Sequence, residues 1–200
     1  MSGAGGALFV LSSPSGGGKT TVTKQVLRKV RGLSRSVSVT TRKPRSGERK
    51  GRDYRFVTEE EFHRLQKEGA FVESANVHGS WYGTPRAALE ARLEKGRSVL
   101  LCIDVQGARK IRRVFGRKAV LIFLVPPSVT DLRKRLKQRS TESPAAIRAR
   151  LAAAKKELAC ASWYDYRVPN ARVEDAVAQL RTIIRAHTTS ARARATGGKQ

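Results

Sequence analysis

The sequence predicts an α/β fold in which a parallel core sheet is flanked by helices. Short apolar runs with the character of buried strands alternate with helix-like segments over most of the 200 residues, as in right-handed βαβ units. The run at residues 98–105 is almost wholly apolar, which is typical of a strand covered on both faces. A chain of this length with 40% hydrophobic residues can bury the core of a single domain.

A glycine-rich loop follows the first apolar run, at residues 13–20 (SPSGGGKT), and leads into a predicted helix at residues 21–31. Strand, glycine turn, Lys-Thr and helix is the order that a nucleotide phosphate loop requires. Glycines let backbone N–H groups converge on a phosphate, and the helix N-terminus adds its positive dipole end. We expect Lys19 to reach the β- and γ-phosphates and the Thr20 hydroxyl to bind Mg²⁺.

This phosphate loop, as we call residues 13–20, departs from the usual pattern at Ser13, where such loops carry glycine. A small residue is tolerated there if its φ is negative. A glycine-rich turn without a ligand is the alternative, and three consecutive glycines before Lys-Thr argue against it.

The middle of the chain has a different texture, with short strands and polar turns. Residues 35–41 alternate as one strand would, Thr58 and Glu61 form a capping box at the start of a helix, and Pro85 opens another. Predicted strands lie at residues 35–41, 54–57, 71–73 and about 81–83, with helices at 58–69 and 85–95. We therefore predict that residues 36–95 are an insertion into a core formed by residues 7–35 and 96–187.

The second half returns to alternating strands and helices. Pro126 and Pro127 stop a strand, and Ser128 can cap the helix that follows. Strands are predicted at residues 98–105, 119–125 and 166–168, and helices from about 108 and at 129–137, 144–159 and 173–187. The tail at residues 188–200 is small, polar and basic, which predicts disorder.

The net charge of +25 makes nucleic acid a partner to consider. The basic residues are spread along the chain without a groove-reading motif or an aromatic stacking pattern, so weak nonspecific attraction to RNA is the expectation. No apolar run approaches the roughly 20 residues of a membrane span. Cys102 and Cys160 lie in apolar and helix-like segments and are interpreted as buried thiols, which with the phosphate loop favours a cytoplasmic location.

Several separated motifs accompany the phosphate loop. They are SVSVTTRKPR at residues 36–45, GRDYRF at 51–56, FVE at 71–73, YGT at 82–84, IDVQG at 103–107, and the segment from Arg135 through Arg139 to Glu142. In this order they resemble the guanylate kinases, enzymes that transfer phosphate from ATP to GMP, over about residues 8–187. The resemblance implies a P-loop kinase fold with a GMP-binding insertion at 36–95, an arginine-rich lid at about 138–150, and Mg²⁺ with ATP as phosphate donor.

Phosphate and base of GMP are assigned to different residues by this resemblance. Arg42 and Arg45 flank the turn at Pro44, where two guanidinium groups can converge on one phosphate with bidentate bonds. Tyr54 and Tyr82 add hydroxyl donors. For the base, the resemblance implies Glu73 as acceptor of the guanine N1–H and N2–H₂ donors, with Ser38 and Thr84 as hydroxyl partners. The alternatives are a basic solvated turn, two core tyrosines and an ordinary strand glutamate.

Asp104 follows a buried strand, where ligands of open α/β sheets gather. The resemblance implies that it lies near GMP, the metal and the phosphates, although Cys102 stands where the family often has a second acid. A helix-capping aspartate is the alternative.

The resemblance implies ATP binding by the loop residues Ser13, Pro14, Ser15, Gly16, Gly17, Gly18, Lys19 and Thr20, and by Asn170. The expected catalytic residues are Lys19, Arg45, Arg135, Arg139 and Arg150. Arginines brought in by a closing lid supply positive charge to the transferred phosphoryl group and exclude water. Ser140 replaces the glycine usual in this lid.

Three other functions remain open on the sequence alone. They are a kinase for another phosphorylated ribose compound, a noncatalytic guanylate-kinase-like module that binds phosphorylated protein segments, and an RNA-binding protein. The first is disfavoured by Glu73 and Ser38, and the second by the intact loop at Gly16 to Thr20. The chain is expected to be a monomer or a homodimer.

Overall fold

The computed structural model describes residues 6–138 and 144–196. The strands are β1 (Leu8–Ser12), β2 (Leu33–Arg35), β3 (Ser38–Thr40), β4 (Tyr54–Phe56), β5 (Phe71–Val77), β6 (Ser80–Pro85), β7 (Ser98–Cys102), β8 (Ala119–Val125) and β9 (Tyr166–Pro169). The helices are α1 (Lys19–Lys29), α2 (Glu59–Lys67), α3 (Arg86–Glu94), α4 (Val105–Phe115), α5 (Val129–Gln138), α6 (Pro144–Ala159) and α7 (Val173–Thr196). Short 3₁₀ helices lie at Gly116–Lys118 and Cys160–Trp163.

Five strands form the central sheet in the order β2-β7-β1-β8-β9, and every neighbouring pair is parallel. Parallel strands need crossover connections, which the helices provide. All five residues of β1 are buried, because this strand lies at the centre of the sheet and helices cover both faces. The predicted parallel core sheet flanked by helices is confirmed.

Two apolar layers pack against the two faces of the central sheet. Alternate residues of β1 point to opposite faces. Phe9 and Leu11 join the layer containing Val22 and Val26 of α1 and Ile184 of α7. Leu8 and Val10 join the other layer, with Leu89 of α3 and Ile111 of α4. The strand that precedes the phosphate loop is therefore packed on both faces.

A second sheet of four strands, in the order β4-β3-β6-β5, lies within residues 36–95. The pair β3–β4 is parallel, and the pairs β3–β6 and β5–β6 are antiparallel. It has a small core of its own, in which Phe62 of α2 stacks on Phe71 at 4.8 Å and on Trp81 at 5.8 Å between ring centroids. The sheet coincides with the region where the sequence predicts an insertion.

The strand predicted at residues 35–41 is two strands that belong to different sheets. β2 pairs with β7 in the central sheet, and β3 pairs with β4 and β6 in the second sheet. The chain crosses between them at Ser36 and Val37, where the Ser36 N–H still donates to Leu100 O at 3.1 Å. The alternating pattern continues unbroken through this crossing, so the prediction of one strand was wrong.

The strand predicted at residues 98–105 ends at Cys102, and α4 begins at Val105 rather than near residue 108. Asp104 causes both differences, because its carboxylate accepts a hydrogen bond from the Gly107 N–H and so caps the helix.

The C-terminal segment also differs from the prediction. Helix α7 continues to Thr196, so residues 188–196 are helical rather than disordered. The Thr188 and Thr189 hydroxyls donate to Ile184 O at 2.7 Å and Arg185 O at 3.0 Å, one turn back. Alanine and arginine, which follow them, are strong helix formers. In the described part of the chain, no helix is both long and apolar enough to cross a membrane.

Candidate active site

A single cleft between the carboxyl end of the central sheet and the second sheet brings together most of the predicted site residues. Of these, it is lined by the whole phosphate loop and by Ser38, Arg45, Tyr54, Glu73, Tyr82, Asp104 and Arg150. Six residues that the sequence analysis did not assign to a site also line it: Ala75, Val77, His78, Cys102, Ile103 and Glu157. The carboxyl edge of a parallel sheet is where ligands of such folds bind.

The phosphate loop owes its shape to its glycines. Gly16 and Gly18 have φ values of 82° and 87°, a left-handed conformation that residues with a Cβ rarely adopt. Gly17 is needed for space instead, because a Cβ there would lie 2.9 Å from Pro14 O. The loop backbone can therefore turn its N–H groups towards one point ahead of α1.

Ser13 meets the condition set for a tolerated small residue. His78 is the non-glycine residue with positive φ among the described residues, so the φ of Ser13 is not positive. The side chain is only 5% exposed, and its hydroxyl lies beside the turn that closes with the Gly17 N–H on Pro14 O at 2.8 Å.

Asn170 and Arg135 contact the loop from its other side. Asn170, at the end of β9, is 1% exposed, and its Nδ2 donates to Gly17 O at 2.7 Å. Arg135 on α5 reaches the same place, with Nη2 3.4 Å from Asn170 O. The Asn170 amide is thus used to hold the loop backbone, and neither side chain lines the cleft.

Lys19, the first residue of α1, turns its ammonium group into the cleft wall. Nζ donates to Ile103 O at 3.0 Å, just beyond the end of β7. Burial lowers the pKa of Lys19, while the neighbouring Cys102, Asp104 and Glu157 act in the opposite direction. The lysine is therefore held at the floor of the cleft, within reach of the loop.

Helix α6 adds two side chains to the loop. Glu157 Oε2 accepts a hydrogen bond from the Ser15 N–H at 3.2 Å. Arg150 donates from Nη2 to Ser15 Oγ at 2.7 Å. Burial raises the pKa of Glu157. Arg150 was predicted and Glu157 was missed, although their spacing of seven residues places them on one face of a helix.

Across the cleft, Arg42 is surrounded by hydrogen-bond acceptors. Its Nη2 donates to both oxygens of Glu48, at 2.8 and 3.0 Å, and its Nε donates to Tyr82 Oη at 3.1 Å. The Arg45 N–H donates to the same carboxylate at 2.8 Å. Although burial opposes the change, the hydrogen bond from Arg42 lowers the pKa of Glu48. Glu48, which the sequence analysis missed, holds the two arginine positions together.

Tyr54 lies between cationic and aromatic neighbours. The guanidinium groups of Arg35 and Arg42 are 5.1 and 5.4 Å from the centroid of its ring, and the Tyr82 ring is 6.0 Å away. Arg35 ends β2 of the central sheet, yet its Nη1 is 3.6 Å from Asp53 Oδ1 in the second sheet region. Burial raises the pKa of Tyr54, so its phenol keeps its proton and can donate.

Glu73, on β5, is the most deeply buried acid of the cleft, with 4% of its surface exposed. Its Oε1 accepts a hydrogen bond from the Thr84 hydroxyl at 2.6 Å. Burial raises its pKa to about 7, Asp104 acts in the same direction, and Thr84 and Lys110 oppose it. Thr84 is fully buried and does not line the cleft; it is linked to the site by this hydrogen bond to Glu73. Ser38, on β3, lies in the same wall.

Asp104 has two functions at once. Its Oδ1 accepts from the Gly107 N–H at 2.9 Å and its Oδ2 from Gln106 Nε2 at 3.1 Å, which makes it a helix cap. It also lines the cleft beside Lys19. The capping alternative raised by the sequence is therefore real, and it does not remove Asp104 from the site.

One predicted catalytic residue, Arg139, lies outside the described residues, as does Ser140. Within the described ranges, no three His, Cys, Asp or Glu side chains form a group that could hold a metal. The Thr20 hydroxyl is exposed at the end of the loop, and the Asp104 carboxylate lines the same cleft.

Comparisons with known proteins show what the chain as a whole is similar to. The family model described as Guanylate kinase matches residues 6–187. A guanylate kinase of Wolbachia pipientis wMel is 46% identical over 179 residues, covering 90% of this chain and 89% of the relative. One from Thermotoga maritima is 44% identical over 180 residues, with 90% and 86% covered. The crystal structure of guanylate kinase from Anaplasma phagocytophilum superposes with a TM-score of 0.79 at 39% identity, covering 94% of this chain and 90% of that one.

Proposed function

Because the chain belongs to the guanylate kinase family and transfers the γ-phosphate of ATP to GMP, we propose that the cleft holds both nucleotides at once. One observation carries the proposal: the phosphate loop lines the same cleft as Arg45, Glu73 and Tyr82. Arg42 does not line it and reaches it through its hydrogen bond to Tyr82. ATP belongs to the loop side and GMP to the second sheet, so that the acceptor phosphate and the γ-phosphate meet between them.

On the donor side, the loop N–H groups and the start of α1 bind the ATP phosphates. Lys19 leaves Ile103 O, 3.0 Å from its Nζ, and turns to the β- and γ-phosphate oxygens. The Ser15 N–H, which bonds to Glu157 at 3.2 Å, is released to a phosphate oxygen. Asn170 keeps the loop backbone in place from behind, and Arg135, bonded to Asn170 O, lies beside it.

On the acceptor side, Arg42, Arg45, Tyr54 and Tyr82 bind the GMP phosphate. Arg42 already donates from Nη2 to both oxygens of the Glu48 carboxylate, at 2.8 and 3.0 Å, and a guanidinium group also binds phosphate oxygens with charge-assisted hydrogen bonds. Glu48 therefore marks where negative charge is held on this wall.

The base of GMP is read by Glu73. With one carboxylate oxygen bonded to Thr84, the remaining lone pairs accept from the guanine N1–H and N2–H₂. Adenine lacks this donor pair and would leave a buried carboxylate unpaired, which is costly. Ser38 and Asp104 complete the wall around the base.

Phosphoryl transfer requires positioning and charge stabilisation more than proton chemistry. The GMP phosphate is already ionised, so no general base is needed. Arg150, which reaches Ser15 Oγ at 2.7 Å, lies close enough to the loop to stabilise the transferred group. Arg45, Arg135 and Arg139 are proposed to join it as the lid closes.

Mg²⁺ is proposed as the metal, and the residues present fit it. This ion keeps most of its waters and uses only one or two protein oxygens besides the substrate phosphates, so a cluster of three acids is not required. The Thr20 hydroxyl and the Asp104 carboxylate would hold it. When bound, it neutralises charge on the β- and γ-phosphate oxygens. A monomeric or homodimeric state, a cytoplasmic location and weak nonspecific attraction to RNA complete the proposal.

A coupled ADP-release assay with GMP, AMP and a ribose phosphate as acceptors tests the assignment of the site. We expect GMP to be phosphorylated far faster than the others in the native chain. The variant Glu73→Gln keeps the shape of the side chain. It is expected to lose most of this preference for GMP while still using ATP as phosphate donor. An unchanged preference in Glu73→Gln would remove Glu73 from the base site.

A further inference from the structure

Gly107 occupies a place where its backbone does not require glycine. It is the third residue of α4 and is buried, and it is absent from the glycines with positive φ. Alanine is a better helix former than glycine by about 1 kcal/mol in a helix interior. The glycine therefore needs another explanation.

Space supplies that explanation. A Cβ built on Gly107 would lie 2.6 Å from Glu73 Oε2 and 3.1 Å from Glu73 Cδ. The first distance is shorter than any real contact of a Cβ atom, so either the carboxylate or the helix would have to move. The third nearest atom is Ile103 Cβ at 3.3 Å, which is tight but tolerable.

Neither partner is free to move. Glu73 is held on its other oxygen by Thr84 at 2.6 Å, and its side chain is buried. Helix α4 is fixed at its start by the Asp104 cap on the Gly107 N–H. One turn further on, Lys110 Nζ donates to Ser74 O, beside Glu73 on β5. The helix and the strand are thus fastened on both sides of the close approach.

We propose that Gly107 is a positioning residue for base specificity: by lacking a side chain, it allows the Glu73 carboxylate to lie where it can receive both donors of guanine. This inference rests on the proposed role of Glu73 and deepens it. Helix α4 becomes the back wall of the base site, with Gly107 giving room to the carboxylate and Lys110 placing a positive charge near it.

The consequence for binding follows from geometry. Two parallel hydrogen bonds to one carboxylate require both oxygens to be correctly placed. A methyl group at position 107 pushes Oε2 towards the base or rotates the carboxylate, and either change misaligns the pair. The proposed ATP loop is on the other side of the cleft, and none of the three atoms nearest to a Cβ at position 107 belongs to it.

The first test is steady-state kinetics of Gly107→Ala with GMP, AMP and ATP. We expect the KM for GMP to rise by at least about tenfold, with the preference for GMP over AMP falling by a similar factor and the KM for ATP unchanged. Adding Glu73→Asp, which shortens the side chain by one methylene, should restore part of the GMP preference relative to Gly107→Ala alone. A GMP preference unaltered by Gly107→Ala would overturn the inference.

The second test separates positioning from a general effect on the fold, by thermal melting in a double-mutant cycle. Gly107→Ala should lower Tm when Glu73 is present and leave it equal or higher in a Glu73→Ala background, where alanine keeps its helix advantage and meets no carboxylate. Equal losses in both backgrounds would overturn the inference. If Gly107→Ala alone does not fold, recovery of folding in the double variant supports the inference, and failure to recover overturns it.

The two proposals fail differently. If Glu73→Gln keeps its preference for GMP, the proposed base site is wrong whatever Gly107 does. If Glu73→Gln loses the preference and Gly107→Ala keeps it, the base site stands and the inference about Gly107 falls.

Discussion

On one wall of the cleft, the groups proposed to bind phosphate are mainly backbone N–H groups of a glycine loop; on the other, they are side chains from several turns and strands. The phosphate loop is carried by β1, the fully buried central strand. The opposite wall is built on a small sheet with three buried apolar residues in its core. The shape of the first wall is thus set by backbone that follows a buried strand, and that of the second by contacts among its own side chains.

Each wall also holds a carboxylate near its anion-binding groups. Glu157 accepts from the Ser15 N–H on the loop side, and Glu48 accepts from Arg42 and the Arg45 N–H on the acceptor side. The loop uses one hydrogen bond at 3.2 Å, whereas Glu48 uses three at 2.8 to 3.0 Å. Charged side chains in a cleft need such partners, because an unpaired buried charge is costly; backbone amides, which carry no net charge, need them less.

The comparison predicts that the largest single loss of activity comes from Lys19, the charged side chain of the loop itself. Lys19→Ala should reduce kcat by about 10³-fold or more, since the charge that stabilises the transferring phosphoryl group is lost. Calorimetric binding of GMP should remain close to normal. Lys24→Ala, an exposed lysine on the same helix, is the control. Near-normal turnover by Lys19→Ala would contradict the proposed donor site.

The second prediction concerns a substitution in the acceptor wall that leaves the loop unchanged. Arg42→Lys keeps the charge but loses the planar fork that bonds Glu48 and Tyr82. We expect the KM for GMP to rise by roughly 10- to 100-fold, with little change in the KM for ATP. The same replacement at Arg55, an exposed residue paired with Glu61, should change neither. A matching rise in the KM for ATP would argue against separate walls.

The third prediction concerns pH. The pKa of Glu73 is raised to about 7 in the folded protein, and guanine needs the ionised form. The KM for GMP should therefore increase about tenfold for each pH unit below 7, while the KM for ATP follows a different profile. This dependence should disappear in Glu73→Gln. A profile that is the same in both proteins would assign the effect to another group.

The same shift affects stability in the opposite sense. The folded protein binds a proton at Glu73 more tightly than the unfolded chain does. The protonated Glu73 therefore makes its full stabilising contribution to the free energy of unfolding below pH 4.5. It is lost as the pH rises towards 7. The total is about 3 kcal/mol, and GMP, by pairing with the ionised carboxylate, should offset part of it.

The smallest expected effect lies at Ser13, the departure in the loop sequence. Since its φ is not positive, glycine is not required there. Ser13→Gly should keep kcat within about threefold and lower the free energy of unfolding by about 0.5–1 kcal/mol, because glycine loses more backbone freedom on folding. Urea denaturation and the coupled assay measure the two values. A large gain in activity would mean that Ser13 impairs the loop.

The difference between the walls also explains what sequence reasoning can find. The phosphate loop was predicted in place because strand, glycines, Lys19 and helix are adjacent in the chain. The parallel sheet was predicted from buried runs for the same reason. The split between β2 and β3 was missed because Ser36 and Val37 continue the alternation while the chain changes sheets.

Residues whose role depends on contacts between distant parts of the chain were harder to predict from the sequence. Glu48, Glu157 and Gly107 were not assigned, because what matters in each is a contact with Arg42, Ser15 or Glu73 that only the folded chain creates. Glu73 itself came from the resemblance and not from its local sequence. Helix α7 also extends through a tail whose composition predicts disorder. The hydrogen bonds from the Thr188 and Thr189 hydroxyls to carbonyls one turn back exist only once the helix has formed, so composition alone does not show them.

Strand β7 connects the two proposed substrate sites. Arg35, which touches Tyr54 of the acceptor wall, pairs with Leu100 of this strand. Lys19, on the donor wall, is bonded to Ile103, one residue past its end. Three residues of extended chain, roughly 10 Å, therefore set the offset between the two walls along the sheet. A one-residue insertion in β7 would change this offset by a full residue step and turn successive side chains to the opposite face, putting the two phosphates out of line although every site residue remained in the sequence.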